Sequence, residues 1–254
     1  MIFRIAGRVC WFLWEVVVIV TNYFLTAARA PKEKQRHARA DWLSRSSRRH
    51  LKIFGYQADV FGEIPRRGLL LCNHLSYLDI LAISAVTPAV FVSKADVRRW
   101  PLFGWFAAIA GTVFVDRERR HHVGQVNAEI EAALADGELV VIFPEGTSSN
   151  GESLLPFRTS LLEPAARGQH EISVGWLHYE LADGDARQEV CYWGDHTFFP
   201  HLLHLLGKRR VRATLRFGKF QRATDDRKVL AGQLHAAVLK LTAAGPGVTN
   251  PPPR

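Results

Sequence analysis

The chain has 254 residues, 48% of them hydrophobic, and a net charge of +9. This length provides for one large domain or a domain with an appendage, and the apolar content excludes a wholly disordered chain. The three cysteines, Cys10, Cys72 and Cys191, have no paired spacing. They therefore argue against a disulfide framework or a zinc site, and they fit a reducing compartment.

A nearly continuous apolar stretch, residues 9–28, lies close to the start of the chain and has the length of a membrane-spanning helix. Its polar exceptions recur every seven residues and would form one narrow stripe on a helix: Arg8, Glu15, Asn22 and Arg29. Such a helix either spans a membrane with the stripe against protein or lies in the interface, and both remain open. A cleaved signal peptide is disfavoured because Glu15 interrupts the apolar region.

Residues 31–54 predict a second, strongly basic helix, and most of the positive charge of the chain lies in residues 1–60. A basic block beside an apolar helix favours anionic lipid over nucleic acid as the partner. The positive-inside tendency places the following domain on the cytoplasmic side. We therefore predict that residues 1–54 form a membrane-binding helical hairpin and that the protein has no nucleic-acid partner.

Residues 55–243 alternate strand-like and helical stretches, which indicates an α/β domain with a mostly parallel or mixed sheet flanked by helices. The predicted strands are 57–61, 68–72, 89–92, 112–115, 139–143, 172–179, 189–193 and 210–217. The predicted helices are 76–85, 123–135, 159–166, 200–206 and 226–243. The proline-rich tail, residues 244–254, is predicted to be disordered.

A histidine and an aspartate follow the second predicted strand, where the apolar run ends at Asn73-His74 and Asp79 comes five positions after the histidine. Asp79 can reach back to hold one ring nitrogen of His74, and the other nitrogen is then free to take a proton. This is the arrangement of a general base and its orienter. The alternative is a helix-capping residue with Asp79 in the first turn. A second pair with this spacing, His178 and Asp183, is interpreted as a strand-end residue beside a turn.

Polar residues also follow two other predicted strands, at Asp116-Arg117 and at Pro144 to Ser148. Ligands bind at strand ends in such sheets, so the coincidence favours one site. Taken singly, Arg117 fits a surface charge, and Glu145 and its neighbours fit a turn with a helix cap.

These segments, in this order, resemble the motifs of the glycerolipid acyltransferase family, which includes lysophosphatidic acid acyltransferases. The similar segments are His74-x4-Asp79, residues 111–117, residues 143–149 and residues 155–158, within a region of roughly 57–220. The resemblance implies a membrane-bound O-acyltransferase. It would move an acyl group from acyl-CoA or acyl carrier protein to the hydroxyl of a lysolipid, with no cofactor besides this co-substrate and no metal.

The resemblance also implies roles for individual residues. His74 would be the base that deprotonates the hydroxyl, and Asp79 would fix its tautomer. Backbone N–H groups around Gly146 and the side chain of Lys94 are candidates for stabilising the oxyanion. The acceptor head group would be held by four residues, of which the first suits a phosphate: Arg117, Glu145, Gly146 and Thr147.

Three departures from the family pattern bear on the acceptor. Ser148 stands where the family often has an arginine, so a phosphate ligand is missing unless Arg158 replaces it. Residues 172–174 read Ile-Ser-Val, whereas the family usually has Val-Pro-Val. Residues 192–202 resemble a subgroup that includes lyso-ornithine lipid acyltransferases, and ornithine lipids lack phosphate. The acceptor is therefore expected to be either lysophosphatidic acid or a lyso-ornithine lipid.

Two other functions remain open at this stage. A lipid hydrolase or thioesterase would use the same histidine and aspartate to activate water. A non-catalytic lipid-binding scaffold would need only the basic, amphipathic N-terminal region.

Overall fold

The computed structural model describes residues 2–116, 120–243 and 249–250. The chain opens with two long helices, α1 (Ile2–Leu25) and α2 (Gln35–Ile53), which pack against each other. The indole N–H of the buried Trp42 in α2 donates to the Ile19 carbonyl of α1 at 2.9 Å. Helix α1 leaves eight large apolar side chains exposed: Ile2, Phe3, Trp11, Leu13, Trp14, Val17, Phe24 and Leu25.

The polar stripe of α1 faces protein along its first half. Glu15 is buried, and its carboxylate accepts hydrogen bonds from Nε and Nη2 of Arg49 in α2 at 2.7 and 3.0 Å. Arg8 donates to backbone carbonyls near the end of a later helix, including that of Leu206 at 3.1 Å. Asn22 and Arg29 are exposed. By length and composition, one helix in the described part of the chain, beginning at Ile2, is apolar enough to cross a membrane.

The second part of the chain forms an eight-stranded mixed sheet in the order β4-β3-β5-β2-β6-β7-β1-β8. Its strands are β1 (Gln57–Phe61), β2 (Gly68–Cys72), β3 (Val90–Lys94), β4 (Val113–Val115), β5 (Leu139–Ile142), β6 (Ile172–Leu181), β7 (Val211–Phe220) and β8 (Thr249–Asn250). The strands from β4 to β6 in the sheet order run parallel, β7 is antiparallel to β6, and β1 is parallel to β7. The predicted α/β fold with a mixed sheet is confirmed.

Helices cover both faces of the sheet, as expected when a parallel region is buried on both sides. They are α3 (Leu78–Val86), α4 (Phe103–Ile109), α5 (Arg120–Ala135), α6 (Glu163–Arg167), α7 (Ala186–Glu189), α8 (Phe198–Leu206) and α9 (Arg227–Ala243). Leu70 and Cys72 of β2 pack on one face in a core with α2, α3 and α8. Leu69 and Leu71 pack on the other face with α5, α6 and α9.

Two differences from the sequence prediction have local causes. The predicted strand 189–193 is wrong, because α7 ends at Glu189 and a loop follows. Asp185 caps α7 by accepting the Arg187 N–H at 2.9 Å, and the apolar Val190 and Cys191 are buried from that loop. Helix α4 was not predicted; it begins beside Gly104, where a Cβ atom would lie 2.3 Å from the Arg98 carbonyl oxygen.

The tail of the chain contributes to one edge of the sheet. Thr249–Asn250, within the tail predicted to be disordered, pair antiparallel with Val60 and Phe61 of β1. Residues 244–248 and 251–254 of that tail lie outside the described residues.

Candidate functional site

The loop after β2 presents His74 at the carboxyl edge of the parallel strands. Asn73 fixes the start of this loop, because its side-chain amide donates to the Leu177 carbonyl at 2.9 Å and accepts the Leu177 N–H at 2.7 Å. The side chain thus extends the pairing of β2 with β6 by one residue. This anchoring determines where the His74 backbone leaves the sheet.

Asp79 is fully buried and receives four hydrogen bonds. Its Oδ2 lies 2.8 Å from His74 Nδ1 and accepts the backbone N–H groups of Leu75 and Ser76 at 2.7 and 3.0 Å. The hydroxyl of Tyr179 on β6 donates to Oδ1 at 2.8 Å. A buried carboxylate needs such donors, because burial without them is costly. Asp79 is therefore held rigidly against the imidazole, as the sequence predicted.

The ring of His74 is positioned on its other side by Phe143, with ring centroids 4.2 Å apart and planes 16° from parallel. The side chain is 21% exposed and lines an open cavity. Because the carboxylate of Asp79 accepts from Nδ1, the neutral ring carries its proton there and Nε2 has a free lone pair. His74 and Asp79 thus have the geometry of a general base with its orienter.

Glu145 supports the His74 backbone from the neighbouring strand end. It is 2% exposed, and its two carboxylate oxygens accept the N–H groups of His74 at 2.7 Å and Leu155 at 2.9 Å. Burial raises the pKa of Glu145 to about 7, despite these two hydrogen bonds. The arrangement favours a positioning role for Glu145 over the direct head-group contact expected from the sequence.

The cavity at His74 has a volume of about 270 Å³ and mixed chemistry. Its polar lining includes Lys94, Thr147 and Ser148. Gly146 also lines it, but its own N–H donates to the Phe143 carbonyl at 3.1 Å, so this N–H is not an oxyanion donor. Gly146 has φ of 75°, the left-handed region that glycine adopts without strain, and it turns the loop around His74.

The remaining predicted site residues lie in different places. Lys94 ends β3, is exposed and lines the cavity. Arg158 is exposed and is not among the described residues that line the cavity, although its backbone N–H donates to the Pro144 carbonyl at 2.8 Å. Arg117 lies outside the described residues.

The other histidine with the same spacing is not part of the site. His178 lies within β6 and stacks on Trp176, while Asp183 accepts the Arg209 N–H at 3.1 Å. Within the described residues, no group of three or more His, Cys, Asp or Glu side chains is placed to hold a metal ion.

Residues 192–194 form one wall of the cavity, and two of them are aromatic. Tyr192, Trp193 and Gly194 line it, and the Trp193 indole N–H donates to the Arg187 carbonyl at 3.0 Å. His201 Nδ1 lies 3.0 Å from the hydroxyl of Tyr77, and burial, together with the charge of His196, lowers the pKa of His201 to about 4. His201 is therefore neutral near pH 7, and it packs against the ring of Tyr192.

A second, largely apolar cavity of about 150 Å³ adjoins the first. Its walls come from α1, α2, α3, α4 and α8, so it lies under the N-terminal helices. The two cavities share five lining residues: Tyr77, Ile80, Ser93, Val97 and Trp100. Sequence reasoning missed this cavity because its walls come from segments far apart in the chain.

Comparison with known proteins identifies the domain that carries these residues. The family model described as Acyltransferase matches residues 59–174. The lyso-ornithine lipid O-acyltransferase of Rhizobium meliloti is 36% identical over 201 residues, 70% of this chain and 69% of that protein. The corresponding Brucella abortus protein is 35% identical over 206 residues, 75% of this chain and 77% of that protein.

Two further relatives extend the comparison. The 1-acyl-sn-glycerol-3-phosphate acyltransferase of Neisseria gonorrhoeae is 37% identical over 119 residues, 46% of this chain and 47% of that protein. The crystal structure of the 1-acyl-sn-glycerophosphate acyltransferase of Thermotoga maritima has the same fold, with a TM-score of 0.64 at 18% identity and 96% of each chain covered. The matched region contains His74, Asp79 and the loop of Glu145, so the resemblance seen in the sequence is confirmed: the chain belongs to the acyltransferase family and is an acyltransferase.

Proposed function

We propose that this protein transfers an acyl group from a thioester donor, acyl-CoA or acyl carrier protein, to the hydroxyl of a lyso-ornithine lipid. The observation that carries the proposal is the imidazole of His74, held by the buried Asp79 and facing a cavity that adjoins an apolar one. The first cavity suits the reacting groups and the acceptor head group. The apolar cavity suits the acyl chain of the donor.

The chemistry follows from the protonation of His74. Nε2 takes the proton of the acceptor hydroxyl while the oxygen attacks the thioester carbonyl carbon. Asp79 stabilises the resulting imidazolium through Nδ1–H. When the tetrahedral intermediate collapses, the carbon–sulfur bond breaks and the imidazolium returns the proton to the thiolate. The products are the ester and the free thiol, and the step needs no catalytic serine, metal or cofactor.

The acceptor is inferred from the charges around the cavity. Ser148 donates its hydroxyl to the Tyr192 carbonyl, so it ties the loop to the aromatic wall instead of supplying a cation. Lys94 is the one Lys or Arg among the described residues that line the cavity. Because Lys94 is exposed, it suits a substrate carboxylate better than an oxyanion, which requires donors shielded from water. Ornithine carries one carboxylate and one side-chain ammonium.

A carboxylate directly follows the cavity-lining segment in the chain and is opposite in charge to Lys94. Asp195 directly follows the cavity-lining Gly194, is exposed, and has no ion pair or hydrogen bond to another described residue. It would attract an ammonium group and repel a phosphate. The relatives also support this acceptor. The matches to the two lyso-ornithine lipid O-acyltransferases cover more of this chain than the match to the Neisseria gonorrhoeae protein does.

The proposed organisation places the reaction at a membrane. Residues 1–54 would bind the bilayer through the exposed apolar face of α1, residues 55–243 would form the catalytic domain, and residues 244–254 would be a tail. The excess of Lys and Arg near α1 favours the cytoplasmic side for the catalytic domain, and it would bind anionic lipid in preference to nucleic acid.

A product assay tests this function. Purified protein in detergent receives labelled palmitoyl-CoA or palmitoyl-acyl carrier protein with lyso-ornithine lipid, with lysophosphatidic acid, or with no acceptor. We expect ornithine lipid to form at least about tenfold faster than phosphatidic acid. This ratio corresponds to the loss of roughly one to two charged contacts with the acceptor head group. Faster formation of phosphatidic acid would overturn the acceptor assignment. Acyl release that does not depend on an acceptor would indicate a hydrolase instead.

A further inference from the structure

The apolar cavity contains a small polar cluster on α2. Most of its lining is aromatic or aliphatic, yet Ser46, Ser47 and His50 of α2 also line it. Ser47 and His50 are three positions apart and therefore lie on the same face of the helix. A cavity that held only a hydrocarbon chain would supply no hydrogen bond to these polar groups.

The hydroxyl of Ser47 lacks a partner. Ser47 is 0% exposed, and its buried Oγ makes no hydrogen bond with any described residue. Such groups are uncommon in folded proteins, because a hydroxyl that loses water without gaining a partner is destabilising. Since Ser47 also lines the cavity, a bound molecule can supply the missing partner.

His50 presents a hydrogen-bond acceptor to the same cavity. Its Nδ1 lies 3.2 Å from the Ser46 carbonyl oxygen, which only accepts, so Nδ1 carries the proton. Burial lowers the pKa of His50, which keeps the ring neutral and Nε2 unprotonated. The described residues provide Nε2 with no hydrogen-bond donor, and His50 is 8% exposed.

A hydroxyl group is complementary to this pair, because it can donate to His50 Nε2 and accept from Ser47 Oγ–H. We propose that the apolar cavity binds an acyl chain that carries a hydroxyl group and selects it over the unsubstituted chain. This inference rests on the proposed function, in which the cavity holds the acyl chain of the donor. It names the substrate class more narrowly, as a hydroxylated fatty acyl thioester.

Ser44 is a matched control on the same helix. It is 1% exposed and its buried Oγ also lacks a partner, but it does not line the apolar cavity. Removal of the Ser44 hydroxyl therefore changes a buried serine of α2 without touching the predicted ligand. Any general effect of buried serines on packing will appear in both variants, whereas selection of hydroxylated donors will change only with Ser47.

The test compares donors on one carrier, the one that gives the higher rate with the palmitoyl chain. The donors are the palmitoyl thioester and a series of hydroxypalmitoyl thioesters that differ in the position of the hydroxyl. For the unmodified enzyme we expect at least one hydroxylated donor to have a kcat/KM about fivefold or more above that of palmitoyl, as for one satisfied buried hydrogen bond. Ser47→Ala and His50→Phe should reduce this ratio to about one, and Ser44→Ala should preserve it.

Several outcomes would overturn the inference. If the unmodified enzyme transfers every hydroxylated donor no faster than palmitoyl, the polar cluster binds water only. This measurement needs no variant, so a variant that fails to fold leaves the test intact. A preference that survives both Ser47→Ala and His50→Phe would place the selecting groups elsewhere. No transfer from any donor would contradict the proposed function, whereas transfer without preference contradicts this inference alone.

Discussion

The two adjoining cavities are built in different ways. The His74 cavity is formed mainly by loops that follow neighbouring parallel strands, and its key contacts join residues close in sequence or in the sheet. The apolar cavity is formed by helices from separate parts of the chain. The proposed catalytic pair is therefore encoded locally in the sequence, whereas the cavity proposed for the acyl chain depends on how distant helices pack.

The largest effect should come from removing His74, the proposed base. His74→Ala should lower kcat by about 10²- to 10⁴-fold, because the acceptor hydroxyl loses the group that takes its proton. The folded state should persist, since the His74 side chain is partly exposed. The measurement is the steady-state rate, with circular dichroism as a check on folding.

His178 offers a control with the same sequence spacing. It stacks on Trp176 and is absent from the described lining of both cavities, so His178→Ala should retain the rate of the unmodified enzyme. A comparable loss of rate in the two variants would show that the local pattern does not mark the reacting group.

The boundary between the cavities gives the second prediction. Ile80 lines both, so Ile80→Trp should narrow the passage to the apolar cavity. We expect kcat/KM for a palmitoyl donor to fall about 10- to 100-fold, the scale of a few displaced methylene groups, and that for a butyryl donor to change little. Equal losses for long and short donors would contradict separate sites for chemistry and chain.

Glu145 gives a prediction on stability. Its pKa is raised from 4.5 to about 7 in the folded protein, so the folded state binds more protons than the unfolded state between these values. The free energy of unfolding should therefore fall as pH rises from about 4.5 through 7. Glu145→Gln removes this contribution, which amounts to about 1–3 kcal/mol.

Urea unfolding at several pH values measures the effect. The free energy of unfolding of the unmodified protein should fall across this pH range relative to that of Glu145→Gln. At low pH the difference between the two proteins should be constant. Parallel curves for the two proteins would mean that Glu145 remains ionised in the folded state and that its burial is better compensated.

The smallest effect should concern the choice of acceptor. Asp195→Asn removes an exposed negative charge next in the chain to Gly194, which lines the His74 cavity. Exposed charge pairs are weak, so the KM for lyso-ornithine lipid should rise only about two- to fivefold. Blocking the ornithine ammonium by acetylation should have a similar effect on the unmodified enzyme and little on the variant. Additive effects would exclude Asp195 as the ammonium partner.

The parts of the fold that depend on local patterns were predicted well. The bounds of β1 and β2 were correct, because each is a short β-prone run ended by turn residues. The contact between His74 and Asp79 could be predicted because Asp79 follows five positions after His74, about one helical turn further along the chain. The role of Glu145 was not predictable, because its partners are the backbone N–H groups of His74 and Leu155, and backbone donors leave no mark in a sequence.

Long-range packing set the limit elsewhere. Tyr179 contacts Asp79 across 100 positions of the chain, and a lone tyrosine in a strand gives no sign of such a bond. The apolar segment at Val190 has the composition of a strand. It follows β6 in the chain, but β6 already pairs with β2 and β7 and has no free edge for a further strand. The apolar cavity needs α1, α2 and α8 together, and no sequence pattern specifies that assembly.

The participation of α1 in the apolar cavity has a practical consequence. Phe12 and Ile19 line that cavity from the same helix whose opposite side displays Trp14 and Val17 outward. The helix that would hold the enzyme on a bilayer thus also forms one wall of the cavity proposed to bind the acyl chain. A truncated protein that lacks this helix should therefore bind long-chain donors more weakly, even in a detergent assay that needs no bilayer.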